Sequence, residues 1–322
     1  MQPGALVILG PTATGKSALA LKIAAHVPAE IISMDSALIY RTMDIGTAKP
    51  SLQERAQVVH HLIDICDPAE TYSAAAFARA ARQLIVDIAA RGKLPIICGG
   101  TMLYYKALTE GLSPLPTTLP QVREQIRQEG ERLGWPALHA RLATIDPPLY
   151  AKYAPQDKQR IARALEVYTQ TGKPLSSFYG TGGEACPYPL LEYVLLPDAS
   201  RLELRQVIRT RFLQMIDQGL IDEVAALRAR GDLNLDMPSM RCVGYRQTWE
   251  YLDGTWSYDE FIERSVIATA KLAKHQMTWL RGALASGKRQ ALKPGDPSNA
   301  AKILLALESF ITVAATHQFE AK

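Results

Sequence analysis

Gly10-Pro11-Thr12-Ala13-Thr14-Gly15-Lys16-Ser17 fits the pattern G-x-x-x-x-G-K-[ST] at every required position. Its flanks fit as well. Ala5-Leu6-Val7-Ile8-Leu9 is a short apolar run that reads as a buried strand, and Ser17 to Val27 carries Ala, Leu and Ile at helical spacing. Between strand and helix, the stretch reads as a phosphate-binding loop. Successive backbone N–H groups must curl around a phosphate chain, which calls for glycine where a side chain would block approach or the backbone turns unusually. Lys16 brings a point charge to the phosphates, Ser17 offers a hydroxyl to Mg²⁺, and the helix behind them adds the positive end of its dipole. The fold class this predicts is α/β: a P-loop core with a mainly parallel sheet flanked by helices. The loop specifies a polyphosphate and leaves its identity open.

Composition narrows the setting. A chain of 322 residues can bury a substantial core, and the length suggests about two domains, or one carrying an insertion. Apolar residues make up 48% and charged residues 21%, and the apolar run near Ile303 to Leu307 falls far short of the ~20 residues a membrane helix needs. Met1-Gln2-Pro3-Gly4 lacks a basic signal-peptide start, so a cytoplasmic location with no membrane partner is expected. Cys66, Cys98, Cys186 and Cys242 are scattered without a C-x-x-C pair, which reads as reduced thiols rather than a zinc site or disulfide framework. The net charge is only +4, but from Ala268 to Lys293 there is no Asp or Glu, while Lys271, Lys274, Arg281, Lys288, Arg289 and Lys293 fall there with His275. Such a segment suits a phosphate backbone or a solvated helix face.

Along the chain, Glu30-Ile31-Ile32-Ser33 reads as a second strand that delivers Asp35 and Ser36 to its carboxyl end. In a parallel α/β sheet ligands bind at that edge, so Asp35 is expected to face the same crevice as the loop. A helix N-cap, a Mg²⁺-associated carboxylate and a general base are all open readings of it. Ile45-Gly46-Thr47-Ala48-Lys49-Pro50 is a turn-rich loop, followed by a helical piece through Val58. His60 and His61 are adjacent, so on a strand they point to opposite faces, which favours packing or hydrogen bonding over a metal pair. Ser73 reads as the N-cap of an Ala-rich helix through Ala90, and Leu94-Pro95-Ile96-Ile97-Cys98 as the next strand. That strand ends in Gly99-Gly100-Thr101, where the Thr101 hydroxyl either faces the ligand or caps the helix Met102 to Leu108.

Pro114, Pro116 and Pro120 mark a boundary. Beyond it Val122 to Leu133, Pro136 to Ile145 and Gln156 to Thr171 read as amphipathic helices without an intervening strand, ending at the loop Gly180-Thr181-Gly182-Gly183. The expected organisation is a first core part over 1–115, a helical insertion over 116–191, and the rest of the core with C-terminal helices over 192–322. In that last part Glu192 to Leu196 resumes the strand pattern, and the helix near Arg201 carries Arg205, Arg209 and Arg211. Arg241 opens a helix ending at Gly254, Tyr258 to Leu284 forms a long helix, Ser298 to Phe310 a final one, and Ile311 to Lys322 a frayed tail.

Several of these stretches together resemble one family, the tRNA dimethylallyltransferases (IPP transferases). They are Gly10 to Ser17, Asp35-Ser36-Ala37-Leu38-Ile39-Tyr40-Arg41, Met43 to Pro50, Gly99-Gly100-Thr101-Met102-Leu103-Tyr104, Gln159 to Val167, Thr171-Gly172-Lys173-Pro174 and Arg241-Cys242-Val243-Gly244-Tyr245-Arg246-Gln247. The likeness runs from residue 5 to about Arg281. It implies that the loop holds the diphosphate of dimethylallyl diphosphate with Mg²⁺, and that the allyl group passes to N6 of the adenosine 3′-adjacent to the anticodon of tRNA. By the same resemblance Asp35 is the general base, and Thr101 bonds the diphosphate leaving group with Lys16 and Arg211. The resemblance places tRNA contacts at Asp35, Ser36, Ala37, Leu38, Thr101 and Arg123, at Gln159, Arg160, Ile161, Ala162 and Arg163, and at Arg241 to Arg246. A monomer is expected. One stretch departs from the family pattern Thr-Arg-Gln-Leu-Ala-Lys-Arg-Gln: here it is Thr269-Ala270-Lys271-Leu272-Ala273-Lys274-His275-Gln276, with Ala270 and His275 where arginines are usual. Lys271 and Lys274 then stand in as point charges without the bidentate fork. A nucleoside or nucleotide kinase, or a non-catalytic RNA-binding P-loop protein, remain the rival readings of the loop.

Overall fold

The computed structural model describes residues 3–316 apart from 114, 181, 199–200, 285–286 and 288. Pro114, Thr181, Lys288 and the end of the expected frayed tail therefore lie outside the described residues. The chain runs β1 (Ala5–Leu9), α1 (Lys16–Ala24), β2 (Ala29–Met34), α2 (Leu52–Gln57), β3 (His60–His61), α3 (Ala74–Ala90), β4 (Leu94–Gly99) and α4 (Met102–Thr109). Next come α5 (Pro120–Leu133), α6 (Trp135–Ile145), α7 (Pro147–Lys152) and α8 (Lys158–Thr171). The chain closes with β5 (Leu190–Leu195), α9 (Arg201–Asp217), α10 (Leu220–Ala229), α11 (Tyr245–Leu252), α12 (Tyr258–Leu284), β6 (Gln290–Leu292) and α13 (Asn299–Thr316).

Six strands form one sheet in the order β3-β2-β4-β1-β5-β6, and every pairing is parallel. The α/β expectation holds. Every residue of β1 and β4 is buried, as expected for central parallel strands covered on both faces. Leu6, Ile8 and Ile96 pack with Ala20 and Ile23 of α1 and Ile303 and Leu307 of α13. A second core gathers Ile39, Tyr40 and Met43 with Phe212, Val224, Tyr245, Trp249 and Phe261. No helix among the described residues is long and apolar enough to cross a membrane.

Local chemistry sets the ends. Ser73 caps α3 by accepting from Ala76 N at 3.1 Å, and Ser51 and Glu54 close a capping box on α2. The histidine pair hydrogen-bonds, as its spacing suggests. His61 Nε2 lies 2.6 Å from Glu30 Oε2, and His60 Nδ1 lies 2.8 Å from Val58 O. Glu30 also accepts from Arg91 and Lys93; the Arg91 hydrogen bond above all holds its carboxyl down at about 2.

By contacts the chain divides into two compact units, residues 110–185 and the remainder. The smaller unit is helical, and Ile126, Leu138, Leu142, Leu149, Ile161 and Leu165 fill its core. It contains α7, a helix absent from the sequence reading, which Asp146 caps by accepting from Leu149 N.

Three expectations need correction. Arg241 does not open a helix: residues up to Gly244 turn, and α11 starts at Tyr245. The basic segment from Ala268 to Lys293, expected to suit a phosphate backbone or a solvated helix face, contains strand β6, and Arg289 beside it is 10% exposed, held by the Glu192 carboxylate at 2.7 Å and the Tyr105 hydroxyl at 2.6 Å. Its charge is spent inside the fold. The last helix runs on to Thr316 rather than ending at Phe310.

Candidate active site

Strand register brings the sequence candidates together. Leu9 pairs with Gly99 and Gly99 with Met34, so Gly10, Gly100 and Asp35, each one residue beyond, leave the sheet side by side. The order places β1 between β4 and β5, so the loop after β1 opens at the carboxyl edge, where open α/β sheets bind ligands. From Gly10 the chain curls through two left-handed positions, Ala13 (φ 64°) and Gly15 (φ 80°). Gly15 adopts its angle freely, whereas Ala13 is strained and is held by the turn around it. Thr14 Oγ1 donates to Pro11 O at 2.8 Å, and Lys16 Nζ donates to the same carbonyl at 2.7 Å. No side chain caps α1, so its N-terminal N–H groups have no side-chain acceptor and suit an anion.

The second and third strand ends are tied by Thr101. Its Oγ1 accepts from Ser36 N at 3.0 Å and donates to Ser36 Oγ at 3.3 Å, so the hydroxyl links two loops instead of capping α4. Asp35 is no helix cap either, since residues 36–39 form a turn. Its Oδ1 accepts from Ala37 N at 2.8 Å, which aims the carboxylate while its other oxygen is not consumed by this bond.

Charges converge on Asp35. Burial pushes the Lys16 ammonium below its ordinary pKa, and Asp35 and Cys98 partly offset this while Arg211 adds to it. Burial lowers Arg211 of α9 too, and again Asp35 opposes the shift. Two cations thus sit in reach of one carboxylate in a partly desolvated site, an arrangement that gains from an added polyanion. Nearby thiols stay protonated: burial pushes Cys98 up to about 11 and Cys242 up to about 12. Ser17 is exposed at the start of α1, and no three His, Cys, Asp or Glu side chains converge as a metal cluster among the described residues. Such a donor set suits Mg²⁺, which takes one or two protein oxygens and completes its shell with phosphate and water.

Sequence reading missed three features here. Gln276 of α12 reaches the crevice: Thr12 N donates to its Oε1 at 3.0 Å, and its Nε2 donates to Gly100 O at 2.9 Å. Its signal was present, because Gln276 falls at helical spacing from Ala273 and Leu280, both fully buried, and a polar residue on an inward face needs partners there. Glu223 of α10 accepts from the backbone of Asp44 (2.9 Å), Ile45 (2.8 Å) and Gly46 (3.2 Å), and from the Tyr245 hydroxyl (2.5 Å). The loop so anchored lines, with Arg211, Gln214, Met215 and Gln218, a cavity of ≈ 310 Å³. Lys49 in that wall is 4% exposed and bound to Asp44 and Asp64, so its charge is neutralised.

The remaining candidates divide by exposure. Ser36 is exposed, and Ala37 and Leu38 are partly so, on the turn beside Asp35. In the helical unit Arg123, Gln159 and Arg160 are exposed, Arg160 lying over the Tyr153 ring and 3.5 Å from Asp157. Ala162 is partly buried. Ile161 is fully buried in the unit's core, and Arg163, partly exposed, bonds Thr118 and Pro116 O. In the larger unit Arg241 and Arg246 are exposed, with Cys242 and Val243 partly covered. Gly244 is buried, and the Tyr245 side chain is buried with its hydroxyl on Glu223.

The model of the family described as IPP transferase matches residues 38–283. Among solved structures, the chain is similar to the full-length tRNA isopentenylpyrophosphate transferase of Bacillus halodurans, at 33% identity and TM-score 0.68, over 99% of each chain. It is similar to the tRNA delta(2)-isopentenylpyrophosphate transferase of Staphylococcus epidermidis at 32% identity and TM-score 0.65, over 97% of this chain and 99% of that one. A eukaryotic dimethylallyltransferase acting on tRNA matches at 26% identity and TM-score 0.78, over 96% of this chain and 79% of that one.

Proposed function

This chain belongs to the IPP transferase family, and from that premise we propose how its residues carry out tRNA prenylation. The donor is dimethylallyl diphosphate and the acceptor is N6 of the adenosine 3′-adjacent to the anticodon; the products are N6-(dimethylallyl)adenosine and diphosphate. The observation that carries this reading is the convergence of Lys16, Asp35, Thr101 and Arg211 at the aligned ends of β1, β2 and β4. The loop from Gly10 to Ser17 receives the diphosphate on its backbone N–H groups, and Lys16 leaves Pro11 O to meet it. Arg211 and Thr101 add donors where charge grows as the allylic carbon–oxygen bond breaks. The Ser17 hydroxyl would help hold Mg²⁺, whose chemistry would be further neutralisation of the leaving group's charge. As the carbon–nitrogen bond forms, the N6 proton passes to Asp35, because an adenine amino group is a weak nucleophile and a base close to it must take up the proton as nitrogen gains positive charge.

The adenosine has to leave its stack to reach Asp35, which is cheapest in a loop such as that of the anticodon. Ser36 to Leu38, Arg241 and Arg246 in the larger unit, and Arg123, Gln159 and Arg160 in the helical unit, are the exposed groups proposed to hold the tRNA. The enzyme is proposed to act as a monomer in the cytoplasm. The matched relatives lend the kinase reading no support. Labelled dimethylallyl diphosphate, ATP and unmodified tRNA offered side by side test the proposal. Label should move from the allyl donor to tRNA with release of diphosphate, and phosphoryl transfer from ATP in its place would overturn it.

A further inference from the structure

We propose that Gln276 is a positioning residue of the diphosphate site, its side-chain amide fixing the separation of the phosphate loop from the Gly99-Gly100-Thr101 turn. The inference deepens the transferase reading and rests on it. Gln276 lies in the segment whose basic residues suggest phosphate-backbone contacts, yet its side chain turns the other way. Lys271, Lys274 and His275 are exposed, whereas Gln276 is partly buried on the face shared with Ala273 and Leu280.

The two hydrogen bonds define the amide completely. A backbone N–H at Thr12 requires the oxygen and a carbonyl at Gly100 requires the NH₂, so one orientation of the amide satisfies both. The contact is also close. A Cβ on Gly100 would stand 2.8 Å from Gln276 Nε2 and 2.9 Å from Gly10 O, so only glycine lets turn, loop and amide meet. Thr101 follows directly and ties on to Ser36 beside Asp35. One amide from α12 thereby couples the loop proposed to hold the diphosphate to the turn that carries its proposed donor. Lys or Arg in its place has no acceptor for the Thr12 N–H.

Two variants and two ligands test this, using the full chain with Mg²⁺ and inorganic diphosphate as the binding probe. Gln276→Leu removes both bonds and should weaken diphosphate binding about tenfold or more, as expected for losing two hydrogen bonds at a partly desolvated site. The KM for dimethylallyl diphosphate should rise with it, while tRNA affinity stays at the wild-type value. Gln276→Glu keeps the acceptor for Thr12 N–H but loses the donor to Gly100 O. Its deficit relative to wild type at each pH should shrink as pH falls, because the protonated acid donates again. Wild-type protein that fails to bind diphosphate would bring down the transferase reading, and the inference with it. If wild type binds and Gln276→Leu binds equally well, the inference alone fails. Tighter binding by Gln276→Leu would also overturn it, since the amide would then merely have competed with phosphate for Thr12 N–H. Should Gln276→Leu not fold, the isosteric Gln276→Glu decides: a deficit that does not change with pH, or no deficit, sinks the proposal.

Discussion

Asp35 raises the pKa of both Lys16 and Arg211 and has one oxygen engaged by Ala37 N, and this separates its possible roles more sharply than position along the chain does. A general base needs a fixed aim and a free lone pair, and the Ala37 bond provides the first without using the second oxygen. Asp35→Asn keeps the shape and loses the basicity. Single-turnover transfer should slow by the ~10²–10⁴-fold typical of general acid–base catalysis, with diphosphate affinity retained. A large loss of affinity beside a normal chemical step would reassign Asp35 to the metal. That Asp35, Thr101 and Lys16 would meet was legible from the sequence, because each follows a strand and parallel strands align their carboxyl ends. Which way neighbouring side chains point was not. Ile161 and Tyr245 stand inside motifs that mark tRNA contacts, yet both are buried, since a motif match is blind to the face a residue presents. Gln276 erred in the opposite direction: charge patterning drew attention to its exposed neighbours and away from the one polar group that turns inward.

At the level of elements, the loop Ile45 to Pro50 reads in the sequence as turn-rich, inside a stretch that resembles the family, with no sign of what anchors it. What fixes it lies 177 to 179 residues further along the chain, at Glu223, beyond the reach of any local pattern. The short strand β6 escaped notice for a related reason. Three residues carry no periodicity, and Gln290–Leu292 becomes a strand only by pairing with β5. The long amphipathic helices and buried strands, by contrast, were readable because their periodicity reports a large apolar face. The Glu223 anchor makes a measurable claim. Glu223→Ala strands three backbone N–H groups and the Tyr245 hydroxyl, and should lower stability by about 1–3 kcal/mol, since each group loses a charged acceptor. Amide exchange at Asp44, Ile45 and Gly46 should accelerate more than exchange in β1 or β4. Because the same loop walls the cavity with Arg211, the KM for the allyl donor should rise as well. Unchanged exchange at those three amides would show that Tyr245 packing alone holds the loop.

For the molecule as a whole, a tRNA substrate imposes electrostatics that the small net charge of +4 conceals. The exposed cations are spread over both units: Arg123 and Arg160 in the helical one, and Arg241, Arg246, Lys271 and Lys274 in the other. Several are engaged within the protein, Arg246 with Glu250 and Arg160 with Asp157, and exposed pairs of that kind contribute little to stability and release readily. Arg123 is the cleaner probe, because it makes no ion pair among the described residues. Each phosphate neutralised releases condensed counterions, so tRNA affinity should fall steeply with salt. If Arg123 meets a phosphate, Arg123→Ala should raise the KM for tRNA and reduce the magnitude of the log–log salt slope by about 1, uniformly across tRNA sequences. If it reads a base, the slope should hold while discrimination among tRNAs relaxes. Affinity for dimethylallyl diphosphate should stay at the wild-type value in both cases, because the loop, Lys16 and Arg211 are untouched. A variant with wild-type KM for tRNA and an unaltered slope would remove Arg123 from the tRNA contact surface while leaving the chemistry assigned to the sheet edge intact.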